Sequence, residues 1–309
     1  MMDTTPIRFE NATFTLPILF GSYVNNQGVS NIQKHAQTKF NFKLPIDSFY
    51  GAPWGMIWNG GRPLHYQDSG INNHTIPYYK SIDAHRYITC TNYLAGDYLD
   101  DPTSNQALEM LLEGDGVIIT DERLHKYIRK TYPKLKTKSS IVKVTKDQPN
   151  KRTVDYYNQL LDAYDYVVLH PDDNSKTDFI SQIKDLSRIE VLIDERCTAN
   201  CPVRDLHYDL NAHHNLPIED RDSDILDQEE ELFSKLCPRE KSIMGKNGKW
   251  KLDILVNTKD EISVLYDLGI RKFKTSGRGA PMLELYAIKR FLDVAIKDEQ
   301  TRNTLEYFL

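Results

Sequence analysis

The stretch "GVIITDERLHKYIRKTY", residues 116–132, reads as one structural unit: a short β-branched run of strand length followed by an amphipathic, helix-like segment. The same succession recurs along most of the chain. Strand-like runs stand at "IDSFYG" (46–51), "RYITCTN" (86–92), "GVIIT" (116–120), "SIVKV" (140–144), "YVVLHP" (166–171), "IEVLID" (189–194), "KLDILV" (251–256) and "IRKFKT" (270–275). Helical patterns such as "TVDYYNQLLDAY" and "PMLELYAIKRFLDVAIKD" fill the intervals. Strict alternation predicts a parallel sheet covered by helices, and eight such units match a TIM-type (β/α)8 barrel. The competing doubly wound sheet lacks support, because the glycines of "GAPWGMIWNGGRP" (51–63) do not have dinucleotide-binding spacing. Residues 1–45 then read as an N-terminal extension packed on the barrel, and residues 46–309 as a single barrel domain. A long insertion, about residues 195–250, is expected after strand six.

The 309 residues, 40% of them hydrophobic, suffice for a full core. A net charge of -5 and a pI near 6.0 give no broad positive field, so a duplex nucleic-acid surface is not expected. The opening residues carry no signal-peptide pattern, and no apolar run approaches membrane-spanning length; a cytoplasmic address without membrane association is expected. Four cysteines are too few for a disulfide scaffold in a chain of this size.

Barrel enzymes carry their chemistry at the carboxyl ends of the strands. There the runs end in "CTNYL", "HPDD", "DERC" and "TSGRG", which mark Asn92, His170, Asp194, Ser276, Gly277 and Arg278. Asp194 and His170 are candidates for proton transfer, with the alternatives of ion pairing beside Arg196 and of a structural hydrogen bond. Arg278, Ser276 and Gly277 open a long helix and form a candidate anion site, with Asn92 on the same rim; a glycine-dependent tight turn is the bland alternative. The strongest local signal is the cysteine set. Cys197 and Cys201 follow a strand with three residues between them, Cys237 lies in the same insertion, and Cys90 is the only cysteine left to complete a four-thiolate site. Soft thiolates suit iron–sulfur clusters or zinc, whereas free cysteines also serve as small core residues. His207, His213 and His214 lie nearby in sequence. No G-x-S-x-G elbow, P-loop or H-E-x-x-H motif occurs.

The segments "IEVLIDERCTANCP" (189–202) and "LYDLGIRKFKTSGRGAPMLELYAIKRFLDVA" (265–295) resemble the U32, or collagenase-like, peptidase family, in which a glycine-led strand ends in a K-x-x-GR turn before a long helix. The resemblance implies a barrel in which Cys197, Cys201 and Cys237 match three ligands of a 4Fe-4S cluster. Cys90, another residue or a small molecule would then supply the fourth. It further implies an oxygen-insertion, hydroxylation or related redox step on an organic small-molecule or RNA substrate. The alternatives are a peptidase-type hydrolase with zinc at the same thiolates, and a non-catalytic binding or assembly protein with a protein partner.

Overall fold

A computed structural model describes residues 6–53, 55–60, 83–149, 152–237, 254–277 and 281–309. Eight parallel strands close into a barrel. They are β1 (Thr13–Leu16), β2 (Ile46–Gly51), β3 (His85–Cys90), β4 (Gly116–Ile119), β5 (Lys136–Ser139), β6 (Tyr166–Leu169), β7 (Ile189–Leu192) and β10 (Lys272–Lys274), in spatial order β1-β10-β7-β6-β5-β4-β3-β2. Two further strands, β8 (Asp194–Thr198) and β9 (Ile254–Val256), pair antiparallel beside it. The helices are α1 (Tyr23–Phe40), α2 (Pro102–Glu109), α3 (Glu122–Thr131), α4 (Ile141–Asp147), α5 (Val154–Ala163), α6 (Thr177–Ile180), α7 (Arg204–His214), α8 (Ser223–Leu236), α9 (Lys259–Leu268), α10 (Pro281–Ala295) and α11 (Glu299–Glu306). Among the described residues no helix is long and apolar enough to cross a membrane.

The barrel is the predicted one, but two of its strands are not. "SIVKV" begins α4 instead of forming a strand. Ser140 accepts the Lys143 amide at 3.0 Å as an N-cap, and that capping overrides the β-preference of Ile141, Val142 and Val144. The strand is the preceding "KTKS" of β5, which pairs with both β4 and β6. "KLDILV" contributes β9, which lies outside the barrel; residues 251–253 of that run fall outside the described residues. The missing barrel strand is β1, inside the stretch 1–45 read as an extension. Its four residues alternate threonine with Phe14 and Leu16, too short a pattern to stand out. The segment between β7 and α9 thus follows the seventh barrel strand, and it carries β8, α7, α8 and β9.

Period-two alternation divides each strand between two environments. Phe14, Phe273 and Phe291 pack in the layer between strands and helices, with ring centroids 5.6 and 5.1 Å apart. Their neighbours in sequence, Thr15 and Lys274, turn into the lumen, which is polar. Glu190 of β7 is fully buried and accepts from Thr15 Oγ1 at 2.7 Å and Lys138 Nζ at 2.5 Å, contacts that span the barrel because none of these strands is adjacent to another. Lys274 Nζ stands 3.9 Å from the second carboxylate oxygen of Glu190. Aromatic faces complete the cage: Lys138 lies 4.2 Å from the Tyr87 ring centre and Lys274 3.7 Å from that of Tyr50.

Candidate active site

Above this charged layer, at the carboxyl end of the strands, lies a cavity of about 60 Å3. Tyr50, Thr89 and Lys274 form its floor, Ser140 and Ile141 flank it at the start of α4, and Ser276 and Gly277 flank it after β10. Glu195 of β8 and Tyr208 of α7 reach it from the insertion. Glu195 is 1% exposed and Lys274 7%, so an acid and a base share one enclosed chamber. There their electrostatic influence on a bound group exceeds what either would exert in water. The phenol of Tyr50 donates to the Thr275 carbonyl at 2.9 Å, which fixes its ring beneath the Lys274 ammonium.

Helix α7 roofs the chamber and is tied down on several sides. Lys146 of α4 bridges Asp205 and Asp209 at 2.6 and 2.5 Å. Arg204 Nη2 donates to Asp172 Oδ1 and to the Thr198 carbonyl at 3.1 and 3.0 Å. Asn92, fully buried, donates its amide to the carbonyls of Ile57 and Ala212 at 3.0 and 3.2 Å and accepts the Leu94 amide at 2.9 Å. Its side-chain amide therefore ties the end of α7 to the connection that follows β2.

The predicted acid–base pair takes structural positions on the same rim. Asp194 Oδ1 accepts the Ser276 amide at 2.6 Å, and the Asp194 carbonyl accepts the Ser276 hydroxyl at 2.6 Å, a clasp joining β8 to the turn after β10. His170 caps the short turn of residues 171–173: its Nδ1 accepts the Asp172 amide at 3.2 Å, which leaves the proton on Nε2. Burial, seconded by Arg152 and Arg204, pushes His170 down to about 3, so the ring is neutral and its approach to Asp172 is not an ion pair. A folded-state value below the unfolded value of about 6.5 means that stability falls as pH drops from about 6.5 toward 3, because only the unfolded state takes up the proton. His170→Asn keeps a cap acceptor without a titrating ring. Urea titrations at pH 7 and pH 5 are expected to show a smaller loss for the variant than for the wild type; equal losses would remove His170 as a source of the slope.

The anion-site turn is described only through Ser276 and Gly277; Arg278 lies outside the described residues. Gly277 has φ 143°, and a Cβ there would meet the Leu283 carbonyl oxygen at 2.4 Å. Alanine at this position faces both a left-handed backbone and a backbone obstacle. Gly277→Ala is expected to cost about 1–3 kcal/mol in chemical denaturation. A stability unchanged from wild type would show that this turn relaxes freely.

The cysteines separate into three environments. Cys197 and Cys201 are half-buried, in and just after β8. The Cys197 thiol, then the Val203 amide and Arg204, outweigh burial and bring Cys201 down to about 6. The same contact and burial push Cys197 up. Cys90 sits on the outer face of β3 with Ile88 and Val117, turned away from the mouth by strand alternation, and burial raises its thiol. Cys237 is buried at the end of α8. Among the described residues no three His, Cys, Asp or Glu side chains converge as a metal site. In this arrangement the four thiolates do not fit a common cluster, since Cys90 faces the wrong layer. The nearby histidines serve the packing of α7 on α8: His213 pairs with Glu229 at 2.8 Å, His214 with Glu230 at 2.9 Å, and His207 lies against Phe233.

Lys274, Tyr50, Tyr208 and the buried Lys138–Glu190 pair did not stand out in the sequence. One signal was present: "KTKS", "IEVL" and "KFK" place charges at alternate positions of buried strands, which requires partners across the lumen.

No family model matches the chain, and no curated protein matches it. Among solved structures the chain is similar to that of the U32 peptidase Mk0906, at 14% identity and a TM-score of 0.47, over 88% of this chain and 95% of that one. That structure belongs to the family that residues 189–202 and 265–295 resemble.

Proposed function

We propose that the protein is a barrel enzyme carrying out proton transfer on a small organic molecule that bears a carbonyl or carboxylate group, bound in the chamber at the strand ends. The observation that carries this reading is the enclosure of Lys274 and Glu195 in one chamber, roofed by Tyr208. Lys274 holds the substrate oxygen and stabilises negative charge that develops on it, while Glu195 takes or returns a proton at the neighbouring carbon. The Lys138–Glu190 pair beneath fixes the lysine floor, and the Asp194–Ser276 clasp fixes the turn beside it. No step is routed through a cluster or a zinc ion, because the thiolates available at the rim are a pair.

A panel of small keto acids, aldehydes and carboxylates, incubated with the protein in D2O and followed by proton NMR, tests the proposal. Loss of a carbon-bound proton signal from at least one compound, dependent on Glu195, is the expected result. Absence of both exchange and saturable binding across the panel would overturn it.

A further inference from the structure

We infer that a cavity beside the α7–α8 hairpin is a second binding site, built for a small amphipathic carboxylate. It has a volume of about 780 Å3, more than ten times that of the chamber and within the range of small-molecule pockets, and it shares no lining residue with the chamber. His207, Leu210, Asn211, His214 and Asn215 form one side of it. Their spacing, i, i+3, i+4, i+7 and i+8, is that of a single helix face, so α7 turns one stripe to this cavity and sets Tyr208, on a neighbouring stripe, at the chamber. Met56 and Ile57, from the connection after β2, and Phe233 of α8 add apolar wall. The rings of His207 and Phe233, 4.8 Å apart at their centres, join the two helices there. Ile218 also lines the cavity yet is 79% exposed, so an apolar ligand body laid against it removes surface that the fold leaves in water.

The charge of the site runs against its surroundings. Residues 219–231 contain eight acids, but among the described residues no carboxylate lines the cavity. Its fixed charge is the guanidinium of Arg221. Arg221 Nε donates to the Leu216 carbonyl at 2.9 Å, which anchors the group beside the apolar wall. The neighbouring acids are engaged elsewhere: Asp222 accepts the amides of Asp224 and Ile225 at 3.0 and 3.1 Å as the cap of α8, and Glu230 pairs with His214 at 2.9 Å. Among the described residues Arg221 forms no ion pair, and its two terminal nitrogens are open to a forked contact with one carboxylate. A ligand with an apolar body and a single carboxylate satisfies both halves of the site, whereas an ammonium on the same body meets the guanidinium with like charge. The inference does not rest on the chemistry of the chamber.

The test titrates the full chain with decanoate at neutral pH by calorimetry. Saturable binding of one decanoate per chain is expected, with decanol and decylammonium weaker by about tenfold or more, the worth of a charge-assisted hydrogen bond. Arg221→Gln should weaken decanoate by the same factor and leave decanol unchanged, and Ile218→Asp should weaken both; the two side chains are exposed, so neither substitution disturbs the core. Should Ile218→Asp fail to fold, the Arg221→Gln comparison decides. Trypsin cuts after Arg204 and Arg221, so a diazirine analogue of decanoate should label the single peptide 205–221, beyond Tyr208 in sequence. No saturable decanoate binding, decylammonium bound as tightly as decanoate, or affinity untouched by Arg221→Gln would each overturn the inference. So would label on Tyr208 or around Lys274, which assigns the ligand to the chamber, and so would self-association abolished by Ile218→Asp, which assigns the face to a second copy of the chain.

Discussion

Replacing Glu190 by leucine is expected to destabilise the protein by about 3–5 kcal/mol, the cost of removing one partner from a buried ion pair. The size follows from what is left behind. Lys138, 1% exposed, and Lys274 both rely on this carboxylate, and without it two ammonium groups share a lumen closed to water. The triple variant Lys138→Met, Glu190→Leu, Lys274→Met removes every charge together and is expected to recover most of the loss, because well-packed apolar residues replace buried ion pairs at little cost. Urea denaturation of the two variants beside the wild type is the measurement; a Glu190→Leu protein as stable as wild type would show that the lumen admits water. The pH dependence has a definite sign. Burial alone raises the Glu190 carboxyl, but Lys138 and Lys274 outweigh it and hold the group below its ordinary value of 4.5. A lowered folded-state value stabilises above about 4.5 and is lost as pH falls through the folded value. The variant should therefore lack part of the wild-type stability loss on acidification.

That charged lumen also explains what was legible in the sequence. Runs such as "GVII" and "YVVL" announce themselves because both of their faces are apolar, one toward the helices and one toward the barrel axis. "KTKS" does not, since its lysines look like surface residues until Glu190 and Tyr87 are known to face Lys138. The reverse error arises at "SIVKV": a β-branched run becomes a helix because Ser140 caps it and the strand quota is already filled four residues earlier. The cysteines show the same limit at the level of the site. Spacing puts Cys197 and Cys201 in one short local segment, whereas the place of Cys90 depends on which face of β3 it occupies, and that parity is set by tertiary register. His170 and Asp194 were correctly placed at strand ends. Their roles as cap and clasp depend on the amides of Asp172 and Ser276, and the latter is distant in sequence.

Glu195→Gln is expected to lower the rate of proton exchange by about 10^2–10^4-fold while leaving binding nearly intact, the contribution typical of a positioned general acid or base. Lys274→Met is expected to act on binding as well, weakening it by about 1.5–3 kcal/mol, the worth of a hydrogen bond to a charged group. The two substitutions thus separate by kinetic signature: the amide variant loses kcat with KM unchanged, the methionine variant raises KM and lowers kcat together. A structural explanation of either loss can be checked independently. Lys274 is the more distant of the two cations on Glu190, 3.9 Å against 2.5 Å for Lys138, so its removal leaves the shorter pair in place and should destabilise far less than Glu190→Leu. Tyr208→Phe supplies a third comparison, since it keeps the ring of a residue that lines the chamber and removes only its hydroxyl. If Glu195→Gln exchanges protons at the wild-type rate while the fold is intact, the chamber's acid has no chemical role and the proton-transfer reading of this barrel fails.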